Sequence, residues 1–174
     1  TNTLVPGMFG NKDQASMAEE RLRNAATVSI GDTLRDGALQ VTVTNSGAGH
    51  NLPTGLSHVR QMWLEVTVSG TGGTVLYKNG GLDRQGRLER GAVVYNTVLG
   101  DGKGNQVMNV AKAREIIRDN RIEPLKSSRE SFRLPPIKES NVTVEVKLWY
   151  RIAPQELVDA VVGAGKIKIP AVLM

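Results

Sequence analysis

The chain reads as mainly β: an antiparallel immunoglobulin-like β-sandwich with an N-terminal helical arm and short inserted helices. Three observations predict this. Apolar and polar residues alternate along short runs, most clearly Val142, Val144, Val146, Leu148 and Tyr150 against Thr143, Glu145, Lys147, Trp149 and Arg151. Clusters such as Asn45-Ser46-Gly47 and Gly70-Thr71-Gly72-Gly73 punctuate the runs as turns. No strand–helix–strand rhythm occurs, so a nucleotide-binding α/β sheet is not expected. With 174 residues, 40% hydrophobic and 22% charged, the chain can bury one ordinary core. The expected division is an arm and helix over 1–26 and a sandwich over 27–174.

The elements follow in order. Asp13 to Ala26 predicts a helix, with Ala18, Leu22 and Ala25 at helical spacing. Its apolar face is narrow, which suits a helix lying on a larger body. From Thr27 the period becomes two. Leu39, Val41 and Val43 alternate up to the break at Asn45. Met62, Leu64, Val66 and Val68 alternate with Trp63, Glu65, Thr67 and Ser69, which places the second set, and Glu65 with it, toward solvent. The Gly70–Gly73 turn returns the chain through Thr74 to Lys78. Val93 to Leu99 reads as one strand, closed by Asp101-Gly102-Lys103-Gly104. Two helices interrupt the strands: Ala111 to Arg118, and Pro154 to Val162 ending before Gly163. The tail from Ile167 to Met174 carries alternating apolar residues around Pro170.

Composition narrows the chemistry. There is no cysteine, which removes disulfides, thiolate metal sites, thiol nucleophiles and C-x-x-C-H haem attachment. No apolar run is long enough to span a bilayer. Thr1 to Gly7 lacks the basic start and apolar core of a signal peptide and has no initiating Met, so it reads as a processed or excised segment. Net charge is +5 with pI near 9.7. Only 4% of residues are aromatic, and no helix-turn-helix, zinc-finger or RNA-recognition pattern appears, so nucleic acid is not an expected partner. A mildly basic solvated surface, or one facing an acidic protein, fits better.

Enzyme signatures are absent. No G-x-S-x-G elbow accompanies the two histidines, His50 and His58. Gly100-Asp101-Gly102-Lys103-Gly104 lacks the spacing of a phosphate loop. Glu65, Glu115 and Glu145 could supply the two facing carboxylates of a glycosidase, yet Glu65 and Glu145 fall on the solvent sides of strands. Asp83-Arg84-Gln85-Gly86 and the loop at Asp101 echo calcium loops but lack the later acidic ligands. Asn141-Val142-Thr143 spells a glycosylation acceptor and is read as chance. Catalysis by this chain is therefore not expected.

The densest signal is Gly47-Ala48-Gly49-His50-Asn51-Leu52-Pro53-Thr54-Gly55. Here His50 either pins a turn through a backbone carbonyl or is offered to a metal, with Gly47 and Gly49 clearing space around it. Imidazole is a common iron ligand, and such a residue can complete a haem held by another segment. Arg121 beside Asp119 reads as a salt bridge that fastens a loop. Arg84, Arg87 and Arg90 recur at every third position, as a solvated stripe or as partners for acidic groups, haem propionates included.

These pieces resemble, in order, the β-domain that follows the haem-binding repeats of bacterial multihaem c-type cytochromes. The resemblance rests on Ala48 to Gly55 with Arg60 and Trp63-Leu64-Glu65-Val66, then Gly81-Leu82-Asp83 with Gly86. It continues through Asp119-Asn120-Arg121-Ile122 with Pro124, Leu148 with Tyr150-Arg151 and Pro154, and Ile169-Pro170 with Met174. It implies an exported protein, periplasmic or extracellular, working beside c-type haems. Because C-x-x-C-H is missing, any haem c would be held by a partner or an adjacent segment. The resemblance then implies a non-catalytic accessory domain that docks on the haem-bearing segment or subunit. His50 would be a possible axial ligand, and Arg60, Arg84, Arg87 and Arg121 would be partner-binding or loop-fastening residues. The alternative is a free-standing exported binding module for a protein or polysaccharide.

Overall fold

A computed structural model describes residues 9–31 and 37–174. The expectation for Thr1 to Gly7 lies outside the described residues. Helix α1 (Lys12–Arg23) is capped by the Asn11 side chain, which accepts from the backbone N–H of Gln14 at 3.1 Å. Asp13 in its first turn and Arg21 and Arg23 in its last complement the helix dipole. Its narrow apolar face buries Ala18 and Leu22 in the main core, alongside Ala25 and Ala26 just beyond its end.

Among the described residues eleven strands follow in antiparallel sheets: β1 (Thr27–Ile30), β2 (Ala38–Thr44), β3 (Gln61–Ser69), β4 (Val75–Asn79), β5 (Val94–Tyr95), β6 (Thr97–Gly100), β7 (Gln106–Val107), β8 (Glu115–Asp119), β9 (Ser127–Arg133), β10 (Thr143–Arg151) and β11 (Val172–Leu173). Helix α2 (Gln155–Val162) sits between the last two, with Pro154 just before it and Gly163 just after it at φ 101°. The three-stranded sheet β1-β2-β9 and the larger sheet β11-β10-β3-β4, with β5 also on β3, form the sandwich. Alternation places Leu39, Val41 and Val43 of β2 opposite Met62, Leu64, Val66 and Val68 of β3, all buried. In the long β3–β10 ladder, Leu148 faces Leu64 and Tyr150 faces Met62. Each such side chain contributes roughly 1.5–3 kcal/mol by leaving water.

The structure departs from the sequence reading at four places. Ala111 to Arg118 is not a helix: a single 3-10 turn (Val110–Lys112) leads into β8. The β-branched pair Ile116-Ile117 suits the strand, and pairing with β6 outweighs the helical spacing. Val93 to Leu99 is two strands, because the chain leaves the main sheet at Asn96; β5 pairs with β3, whereas β6 pairs with β7 and β8. Strand β9 has no apolar alternation, since Ser128 and Glu130 occupy two of its inward positions opposite Val43 and Val41. They are accommodated because Glu130 accepts from the Ser128 hydroxyl at 2.6 Å and from the Tyr95 hydroxyl at 3.3 Å.

The fourth departure is the outer face of the large sheet. Trp63 is 1% exposed rather than solvent-facing, and its indole N–H donates to the Gly80 carbonyl at 3.0 Å. Arg151 is fully buried, with its guanidinium carbon 5.4 Å from the Trp63 ring centre. It donates to the Gln61 side chain and, at 2.6 Å, to the Gly86 carbonyl, strapping the 80–89 loop across β3 and β10. Glu65 is also engaged, accepting from Trp149 at 2.7 Å and pairing with Lys78 at 2.9 Å. The face carries two stacked tryptophans, 6.4 Å between ring centres, and they recruit these polar groups.

Candidate functional site

One buried asparagine organises the end of the sandwich that holds His50. Asn45 is 1% exposed and closes β2. Its amide donates to the carbonyls of His50 at 2.8 Å and Ile122 at 3.0 Å, while its side-chain oxygen accepts from the Ala48 N–H at 3.1 Å. Its own backbone bonds Lys126 and Leu125. Leu52 and Ile122 then exchange two backbone hydrogen bonds, at 2.8 and 2.9 Å. The segments around 45–52 and 119–126, far apart in sequence, are thereby sewn side by side. Sequence reading passed over Asn45 as a strand breaker; the signal was the asparagine type at a strand end, where its amide can replace lost ladder bonds.

Gly47 docks this loop on α1. Its N–H donates to the Ala25 carbonyl at 3.1 Å, and a Cβ there would lie 1.9 Å from the Asn24 carbonyl oxygen. The expectation that Gly47 and Gly49 clear space around His50 is thus corrected. Gly47 makes room for the end of α1, and a Cβ on Gly49 would meet nothing within 4 Å. Between α1 and the loop lies a groove of about 570 Å³, lined by Met17, Arg21, Leu22 and Ala25 on one side and by Ala48, His50 and Leu52 on the other.

His50 stands exposed on the groove wall. Its Nδ1 lies 3.1 Å from the Asn51 carbonyl oxygen. A carbonyl can only accept, so Nδ1 carries the proton in that bond. In the neutral ring Nε2 then keeps its lone pair, and it makes no hydrogen bond among the described residues. This is the arrangement in which a histidine serves a metal: one nitrogen oriented by a carbonyl, the other free to ligate. His58 is half-buried, and desolvation pushes its pKa down. No group of three or more His, Cys, Asp or Glu side chains able to hold a metal ion exists among the described residues.

The arginines fall into separate settings. Arg60 is half-buried and donates to the Ile152 carbonyl at 2.9 Å. Arg121 grips Asp119 through two bonds of 2.8 and 2.6 Å, which raises its own pKa and holds the Asp119 carboxyl below the usual range. Both sit near the loops they were read from and spend these donors inside the chain. Arg84 is exposed. Arg87 is exposed and reaches Asp159 at 3.7 Å. Arg87 and Arg90 line a different hollow of about 700 Å³ with Lys78, Asp83, Glu89 and Glu156, a mixed-charge lining that shares no residue with the His50 groove. The cation on the His50 groove is Arg21 of α1, which the sequence analysis did not single out.

The carboxylates singled out in the sequence serve local contacts. Glu145 bonds Lys147 at 2.7 Å. Asp101 accepts from the backbone of Lys103 and Asn105 and from the Asn105 amide, closing the β6–β7 turn. Asp83 accepts from the Arg87 N–H at 2.8 Å in the same manner.

Fold and site together define a β-sandwich domain that presents one oriented imidazole beside a groove. No family model and no curated protein matches the chain. Among solved structures, its fold is similar to that of a penta-heme cytochrome c552 from Thermochromatium tepidum, with 21% sequence identity and a TM-score of 0.68 over 89% of this chain. The match spans 39% of the cytochrome's length. At that identity the likeness is one of fold. No helix among the described residues is long and apolar enough to cross a membrane.

Proposed function

We propose that this chain is a non-catalytic accessory domain of a multihaem c-type electron-transfer system, periplasmic or extracellular, that docks on the haem-bearing segment or subunit. His50 offers Nε2 there as an axial ligand to iron. The observation that carries the reading is the Nδ1 bond to the Asn51 carbonyl, which leaves Nε2 without a hydrogen bond on the wall of a groove of about 570 Å³. Of the lining, Leu22, Ala25, Ala48 and Leu52 are apolar and suit the macrocycle, Arg21 can meet a propionate, and Glu20 beside it restricts the propionates to the Arg21 side. With no cysteine, the chain supplies ligation and packing only, and covalent attachment belongs to the haem-bearing part. When bound, the haem supplies the redox chemistry; His50, the loop and α1 orient it and shield one edge from water.

The test uses a haem c peptide that carries one histidine ligand and an open sixth position. Adding the intact chain should convert its ferric spectrum from high to low spin with saturation. His50→Ala, checked for folding by circular dichroism, should lose the conversion. An unchanged conversion in His50→Ala overturns ligation by this residue.

A further inference from the structure

The segment 97–119 leaves the sandwich as a ribbon of three short strands, β7-β6-β8, that pair only with one another. None of its apolar side chains joins the main hydrophobic core or packs against it. Every residue of β8 is exposed. Ile116 is 62% exposed, Val110 57%, Ile117 45% and Met108 42%. A small antiparallel sheet ordinarily hides such residues against another layer; here Thr97 and Gly100 of β6 are buried and Val98 and Leu99 half-buried, while β8 and residues 108–112 stand in the open.

The charges around these residues are uneven. Lys103, Lys112, Arg114 and Arg118 are all exposed, and none forms an ion pair among the described residues. Of the acidic side chains in the same stretch, Asp119 is paired by Arg121, whereas Asp101, bonded only to neutral donors, and Glu115 keep their charge, so four cations stand against two free carboxylates. The ribbon therefore presents apolar side chains among an excess of cations.

We infer that the ribbon 97–119 is a peripheral membrane-binding element that seats Met108, Val110, Ile116 and Ile117 in the interfacial layer of an anionic bilayer, with Lys103, Lys112, Arg114 and Arg118 on the headgroups. Two observations select a bilayer over an acidic protein. Gly100 approaches the side chains of Glu115 and Ile117, which places these two on one face of the ribbon. Alternation turns Ile116 to the opposite face. A protein surface covers one face of a thin ribbon; a fluid headgroup layer wets both. Apolar tips ringed by lysine and arginine are also the chemistry of interfacial binding.

The test is sedimentation of the intact chain with phosphatidylcholine vesicles that contain or lack phosphatidylglycerol. Wild type should bind the anionic vesicles, fail on pure phosphatidylcholine, and weaken as salt rises. Lys112→Gln with Arg118→Gln should weaken partitioning about 25-fold, roughly fivefold for each charge removed. Ile116→Ser with Ile117→Ser leaves every charge in place and should also lose binding; these side chains are exposed, so folding is retained. Binding by the isoleucine variant equal to wild type overturns insertion. Failure to bind either vesicle overturns the proposal and assigns the ribbon to an acidic protein. No haem enters the measurement, so its outcome is separate from that of the His50 reading.

Discussion

Replacing Asn45 by alanine tests whether one side chain holds the His50 loop in place. The substitution removes three hydrogen bonds from a site that is 1% exposed. The Ile122 carbonyl keeps a second partner in the Leu52 N–H, so it is not orphaned. The His50 carbonyl and the Ala48 N–H lose their Asn45 partner but lie in half-open positions that water can reach. At about 1 kcal/mol for each bond, the expected loss is about 3 kcal/mol. For a domain of this size that lowers the melting temperature by about 6–12 °C. Urea unfolding followed by tryptophan fluorescence measures it directly, and the low-spin conversion of the haem c peptide reports the loop, since His50 is held through its own carbonyl. Asn45→Asp makes the complementary test. It keeps the acceptor for Ala48 but turns a carboxylate toward two carbonyls, which raises its pKa in the folded state. Stability should then fall as pH rises through the carboxylate range and recover in acid. A loss under about 0.5 kcal/mol in Asn45→Ala, or no pH dependence in Asn45→Asp, refutes the node.

Other perturbations follow from the same geometry. Gly47→Ala forces backbone against backbone and should cost about 2 kcal/mol or more, while Gly49→Ala should be nearly neutral; equal thermal melts for the two would contradict the docking of the loop on α1. The Asp119 carboxyl has a depressed pKa, so its pairing with Arg121 stabilises above the ordinary carboxylate value and fades as pH falls through the folded one. Because both side chains are partly solvated, Asp119→Asn should remove less than about 1 kcal/mol at neutral pH and flatten the acid limb of a urea-midpoint profile. Arg151→Ala should cost about 3 kcal/mol by calorimetry, and Arg151→Lys should not restore it, because a lysine cannot stack on Trp63 while reaching both Gln61 and Gly86.

Much of this fold is legible in the sequence wherever one local pattern has one meaning. Alternation at Leu39, Val41 and Val43, at Met62 through Val68 and at Val144 through Tyr150 marks inward faces, because a pleated strand repeats every two residues and only one side of each sheet meets the core. His50 stands out for the glycines and proline around it, and Arg121 for its aspartate two residues earlier. Tertiary structure decided what no local period encodes. Strand β9 is polar except at Phe132 and exists because β2 offers a ladder and Tyr95 a partner for Glu130. Ile116 and Ile117 became strand rather than helix because β6 lay alongside. Asn45 acquired its role only when residues 77 positions apart came within hydrogen-bond reach. Short-range sterics write the alternation into the chain, whereas hydrogen bonds such as Asn45 to Ile122 and Leu52 to Ile122 depend on segments that no local period relates, and those bonds fix the loop that carries His50.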